Sequence, residues 1–465
     1  MTGGIDAFDE QVRSLTRRLL RASEQDPTRP FEAAKTSIPR AVAVVLATAI
    51  LVAGLIFVGK SVLHIQLSQH STVTPPVTAT LPVATPPGVT PTPSIAPSPT
   101  AAPDDSVTNL HMFTASTGWA QRQSDGAILR TTQGVQRWRL TSPSTVTQTV
   151  IAAAFINAEA ARILTAAATS VNAEDAPVAL QSWATDNGGV TWSKGGSFST
   201  YAGAGEPPGS LDFVDPDHGW FSVTGLAAAG SSAIYIYRTV DGGQRWSEVE
   251  ATSFMPTGAN GDISIGCDKN PASFINASTG WVTAECNGGE AFLYMTTDGG
   301  LTWRTQSLGI SRSQASIFGY TTDAPQFVSG SVGFMPGFAG GPPAARATMF
   351  VTTNGGATWS ARETPDYDPD AFEFINADDG WLLISGSITA PTSETNLWVT
   401  FNAGRTWTNL HTNANLVGFS LDFVSTQLGW ADTALPAPNP PAAGLMQTTD
   451  GGRTWSPVAT TISGS

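Results

Sequence analysis

The chain has 465 residues, 13% of them charged, and a formal net charge of −14. Residues 1–60 carry eight Lys/Arg against six Asp/Glu, and residues 61–465 carry 15 against 31. The length leaves room for a large core, and the acidic bulk argues against binding a nucleic-acid backbone, which needs clustered cations.

Residues 1–40 read as a cytoplasmic segment. Within it Val12, Leu15, Leu19 and Leu20 alternate with Arg13, Arg17, Arg18 and Arg21, the pattern of a short amphipathic helix. Such a helix suits an anionic leaflet, or a cytoplasmic partner helix as the sharper alternative. Ala41 to Val58 is an 18-residue run without a charge, bounded by Arg40 and Lys60. At ~1.5 Å rise per residue such a run spans about 27 Å, enough for a hydrocarbon core, so 41–63 is predicted as a single transmembrane helix. A cleaved signal peptide would be shorter and nearer the N-terminus. Arg21, Arg29, Lys35 and Arg40 precede the span, and after Lys60 the next basic residue is Arg122. The positive-inside rule then puts the N-terminus in the cytoplasm and the bulk of the chain outside the cell membrane. Residues 64–107 form a Pro/Thr/Ser-rich linker with ten prolines between Pro75 and Pro103, a semi-rigid stalk that cannot pack a core.

Seven repeats follow over 108–461. Each closes on a box of the form Thr296-Thr297-Asp298-Gly299-Gly300-Leu301-Thr302-Trp303. The closing tryptophans are Trp138, Trp192, Trp246, Trp303, Trp359, Trp407 and Trp455. The position of Asp298 is held by Gln133, Asn187, Asp241, Asp298, Asn354, Asn402 and Asp450. An amide oxygen accepts the same backbone bonds as a carboxylate but carries no proton, so these boxes read as turn staples rather than catalytic or metal sites. A second motif precedes each box. Phe274 to Trp281 is the clearest copy, with others at 213–220, 374–381 and 423–430; Phe327 to Phe334 lacks the tryptophan, Met112 to Trp119 lacks the leading Phe, and Phe155 to Arg162 is the most degenerate.

The boxes follow S/T-x-D/N-x-G-x-T-W, which resembles the Asp-box or bacterial-neuraminidase repeat. Its alternation with F-x5-G-W is similar to the propeller family of photosystem II assembly and stability factors. The resemblance implies an all-β, seven-bladed propeller of four-stranded blades, and a scaffold or assembly role. Four strand-like runs per repeat agree with it. The A-B-C-D order is unbroken from repeat one to repeat seven and shows no strand exchange, which leaves closure of the ring to blade-to-blade packing. Because successive strands are antiparallel, A–B turns and boxes share one face. The B–C and D–A loops, long and different in every blade, share the other, where binding is expected.

On that loop face, Asp366, Tyr367, Asp368 and Asp370 form an acidic turn, read as a solvated loop with a hard-cation site as the alternative. Tyr320, Phe338 and Tyr367 are candidates for an aromatic rim that meets a sugar or a peptide. Cys267 and Cys286 sit symmetrically about one A–B turn and are expected to bridge in an oxidising compartment. The scattered histidines offer no metal spacing, and no cofactor is expected. The resemblance to sialidases raises the alternative of an exo-sialidase-like glycoside hydrolase. Such enzymes bind the substrate carboxylate with three arginines, and the A-strand segments here, such as Ser210–Phe213 and Phe372–Phe374, contain none. The expectation is a non-enzymatic, membrane-anchored binder of a protein or a glycan.

Overall fold

The computed structural model describes residues 106–464, except 144–148, 167–176, 202–208, 228–230, 253–261, 287–289, 309–319, 323, 340–345, 366–370, 385–395, 413–415, 417 and 435–442. The expected cytoplasmic helix, membrane span and all but the end of the linker lie outside these residues. Among the described residues no helix is long and apolar enough to cross a membrane.

Seven sheets follow one another along the chain, each with its A, B, C and D strands in that order and antiparallel, as a seven-bladed propeller. Blade four is representative. Strand A is Cys267–Lys269 and Ser273–Phe274, B is Gly280–Cys286, C is Glu290–Thr296 and D is Arg304–Gln306. Strand A is split where Pro271 removes an N–H from the ladder; in blade five Pro325 sits in the corresponding break. A strands of neighbouring blades touch one another, which places them innermost. The B strands begin with buried runs such as Trp281 to Ala284, because another blade packs on each face. The register sets Cys267 directly opposite Cys286. Cys267 is buried, and no free cysteine occurs among the described residues.

The F-x5-G-W motif is the blade-to-blade joint. Trp220 of blade three lies flat on Phe274 of blade four, with ring centroids 3.6 Å apart and 4° between planes. Phe334 on Phe374 (3.5 Å) and Trp381 on Phe423 (3.8 Å) repeat the stack between blades five and six and between six and seven. In blades three to seven the motif phenylalanine also meets its own blade's box tryptophan edge-on, as Phe274 meets Trp303. The glycine of the motif is set by the same ring. A Cβ on Gly280 would stand 2.4 Å from Phe274, and on Gly429 2.3 Å from Phe423. The degenerate copy keeps the function with other chemistry. Arg162 occupies the tryptophan position and lays its guanidinium over Phe213, 5.9 Å from the ring centre. It also donates to the Pro216 carbonyl of the next blade (2.9 Å) and pairs with Asp186 (2.9 Å).

Closure of the ring corrects the sequence expectation. Thr461–Ser463 leaves blade seven and pairs in parallel with strand D of blade one, Arg137–Leu140. Thr461 N–H donates to the Gln136 carbonyl (3.0 Å) and the Ser463 hydroxyl to that of Trp138 (3.1 Å). An added fifth strand therefore does join the first blade to the last, three residues long and starting only six positions past the last box tryptophan. Its shortness hid it.

Candidate functional site

Two surfaces of the propeller carry ordered polar groups, the box face that the sequence singles out and the innermost strand. On the box face, the two turns of each blade are tied together. The first glycine of the box donates its N–H to the A–B turn, as Gly299 does to Ser278 (2.8 Å); six other blades repeat the bond, with Ala403 in the glycine position of blade six. Gly299 and Gly300 adopt φ of 78° and 96°, a region closed to most side chains. Within the box, Thr296 Oγ1 accepts the Gly300 N–H (2.9 Å) and donates to Asp298 Oδ1 (2.8 Å), which accepts the Thr302 N–H (3.0 Å).

The second oxygen shows how Asp and Asn interchange. Thr302 and Thr454 donate their hydroxyls to Asp298 and Asp450 at 2.6 Å. In the amide blades the bond runs the other way: Asn187, Asn354 and Asn402 donate Nδ2 to Thr191 (2.8 Å), Thr358 (2.9 Å) and Thr406 (2.7 Å). A threonine hydroxyl both gives and accepts, so it closes the turn with either partner. Although burial raises the Asp298 carboxyl, the bonds from Thr302 and Thr296 more than offset it and hold the group below its ordinary value. The arginines of this face are spent locally. Arg238 Nη1 and Nη2 donate to the Asp298 and Ala277 carbonyls of the next blade, and Arg130 to the Ala158 carbonyl and Glu159.

The second surface is the innermost strand. The residue just before the motif phenylalanine, or its Met112 counterpart, is His111, Ala154, Asp212, Ser273, Gln326, Glu373 or Asp422. Four of these side chains accept the backbone N–H of the next blade's motif residue. Asp212 takes that of Phe274 (2.8 Å), Gln326 that of Phe374 (2.9 Å), Glu373 that of Phe423 (2.7 Å) and Asp422 that of Met112 (2.6 Å). Ser273 donates instead, to the Pro325 carbonyl (2.9 Å). Burial pushes the Asp212 carboxyl up to about 6 and that of Asp422 up to about 7. Glu373 lies well above the ordinary carboxylate range, first through burial and then through the Asp422 charge. Beside Asp212, a cavity of about 380 Å³ opens between the A strands of blades three to five, with Asn270, Ser273 and Ala324 on its walls.

The A strands among the described residues contain no arginine. No group of three or more His, Cys, Asp or Glu capable of holding a metal occurs among the described residues. Asp366, Tyr367, Asp368 and Asp370 lie outside the described residues. Tyr320 and Phe338 fall on paired strands of blade five but are not cross-strand partners: Tyr320 pairs with Ala339 and Phe338 with Thr321. The carboxylates of the inner strand went unnoticed in the sequence although they stand one position before a motif already in view. Their residue types vary, and the shared task, accepting one N–H, appears only once neighbouring blades are placed together. Tyr201 likewise carries no sequence signature. It ends strand D of blade two, is 45% exposed, and meets Tyr235 of blade three at 5.7 Å, at the strand ends away from the boxes.

No protein-family model matches the chain, and no curated protein matches it. Among solved structures, a xyloglucanase of glycoside hydrolase family 74 from Xanthomonas campestris is 13% identical, with a TM-score of 0.49 over 75% of this chain. The alignment takes in 54% of that enzyme, little more than half its length. YCF48 bound to D1 peptide is 14% identical, with a TM-score of 0.43 over 74% of this chain and 94% of its own. A polysaccharide lyase, ulvan lyase of family 25, is 11% identical with a TM-score of 0.44, covering 76% of this chain and 95% of the lyase.

Proposed function

We propose that the chain is a membrane-anchored, extracytoplasmic propeller that binds a protein or a glycan with its loop face and performs no catalysis, in a scaffold or assembly role like that of the photosystem II assembly factors its motifs resemble. The observation that carries this reading is the use of the inner-strand side chains. Gln326 does for Phe374 what Asp212, Glu373 and Asp422 do for their neighbours. An amide suffices for the task at Gln326, so the position asks for a hydrogen-bond acceptor and not for a catalytic acid or base. The charge-free run from Ala41 to Val58 and its flanking basic residues support the anchor and its orientation. An oxidising exterior suits a bridge between Cys267 and Cys286, which face each other in register.

A glycoside hydrolase is the second reading. It is favoured by one observation: burial raises both Glu373 and Asp422 above the ordinary carboxylate range, and the Asp422 charge raises Glu373 further, as a carboxyl kept protonated for acid catalysis would need. Against it, each carboxylate already holds a neighbouring blade's N–H.

The deciding experiment is capture from detergent-solubilised membranes with the full-length chain as bait, beside an assay of glycan hydrolysis. The binder reading expects a saturable partner that Glu373→Gln leaves bound, and no hydrolysis. Hydrolysis abolished by Glu373→Gln in a folded protein would replace it with the enzyme reading. Recovery of full-length protein in the soluble fraction would remove the anchor.

A further inference from the structure

We propose that Glu373 and Asp422 form a proton-operated clasp on the closure of the ring, holding the joints between blades six and seven and between seven and one when protonated and loosening them when both ionise. Two successive joints rest on this pair. Glu373 Oε2 accepts the Phe423 N–H at 2.7 Å, and Asp422 Oδ2 accepts the Met112 N–H at 2.6 Å. The second is the joint at which the first blade meets the last.

That joint lacks the close ring stack found between blades three and four, five and six, and six and seven. Met112 stands where other blades present a phenylalanine to stack upon. The Trp430 indole N–H has no partner among the described residues, whereas Trp220 and Trp381 donate theirs to the next blade's box. The inner bond from Asp422 therefore carries a larger share of closure here than Asp212 does between blades three and four.

The surroundings make the pair sensitive to protons. The strands packed against it are Val107–Met112, Ala371–Phe374, Asp379–Ile384, Gly418–Phe423, Gly429–Ala434 and Ala443–Thr448, none with a lysine or an arginine; Gly118–Arg122, paired to Val107–Met112, carries Arg122 at the end opposite Val107, where it pairs with Asp125. The other ionisable residues of the packed strands are His111, Asp379 and Asp432. Burial lowers His111, so it supplies no positive charge near neutral pH. Two carboxylates on adjacent blades thus face each other's charge without a cation on the packed strands. Neutral, each still accepts its N–H, as Gln326 does. Ionised together, they repel across the joint.

The direction with pH follows from proton counting. Between the ordinary carboxylate range and about 7, the folded chain keeps protons here that the unfolded chain has released. Stability from this pair is full below that window and declines as pH rises through it.

The test is hydrogen exchange on the full-length protein in detergent, read on the peptides that carry Met112, Phe423 and Phe374, from about pH 5.5 to about pH 8.5 and corrected for intrinsic rates. Phe374, held by Gln326, is the internal reference. Protection at Met112 and Phe423 relative to Phe374 is expected to fall by roughly tenfold or more over this range, the change that one unit of pKa difference produces. In Glu373→Gln that fall should shrink at both sites. A constant ratio in the unaltered protein would overturn the proposal without need of any variant, and so would an undiminished fall in Glu373→Gln. Partner capture is not needed for either outcome, so failure of the clasp is distinct from failure of the binding reading.

Discussion

The joint between blades three and four and the joint between blades seven and one bring equivalent strands together by different means. The first is aromatic. Trp220 stacks on Phe274, its indole N–H reaches the Gly299 carbonyl (2.9 Å), and Arg238 spans to Ala277 (3.2 Å). The second has a methionine in place of the ring and an indole N–H without a described partner, and is pinned by hydrogen bonds at both ends: Asp422 to Met112 inside, Thr461–Ser463 on strand D of blade one outside. Consecutive blades are delivered to one another by the chain, so there the inner bond, such as that of the Phe274 N–H to Asp212, adds to a repeated apolar contact. The two blades at the closure must find each other across the whole domain, and there directional bonds set the register.

The largest expected effect tests the aromatic joint. Trp220→Ala removes a fully buried ring and should cost about 3–5 kcal/mol in denaturant unfolding. A loss under about 1 kcal/mol would mean that the stack does not hold the joint.

Next comes the brace within blade four, beside the aromatic joint. Cys267 and Cys286 should resist alkylation until reduced, and Cys267→Ser should cost about 3 kcal/mol in the chain-entropy account. Free thiols in protein from its native compartment would contradict the bridge.

A smaller effect probes the closing joint. Removing residues 460–465 deletes the outer strand, with the bonds Thr461 to Gln136 and Ser463 to Trp138. At ~0.5–1.5 kcal/mol for each bond, about 1–3 kcal/mol should be lost, and the pH dependence of the clasp should steepen. Unchanged stability would show that packing alone closes the ring.

The contrast also explains how much of the fold could be read from sequence. The boxes and F-x5-G-W repeat because each blade needs the same turn and the same stack, so Trp303, Gly280 and Phe274 announced seven blades and their strand order. Arg162 looked degenerate because cation–π contact and a carbonyl bond replace a stack, a substitution invisible without Phe213 opposite it. The inner carboxylates were hidden for the reverse reason. Asp, Gln and Glu share no sequence signature, only an acceptor atom. Candidates on the loop face are the least legible, because those loops do not repeat: only residue type points to Tyr320 and Phe338, and no motif marks Tyr201 beside Tyr235.

The smallest expected effect tests most directly the claim that the repeated polar groups hold blades rather than ligands. Asp298→Asn should reverse the bond to Thr302 as Asn354 and Asn402 do with Thr358 and Thr406, and cost no more than about 1 kcal/mol in denaturant unfolding. Binding of the partner captured from membranes should be unchanged, because this turn belongs to the face away from the variable loops. An Asp298→Asn protein of unaltered stability that no longer binds that partner would make the box a functional site and contradict the account.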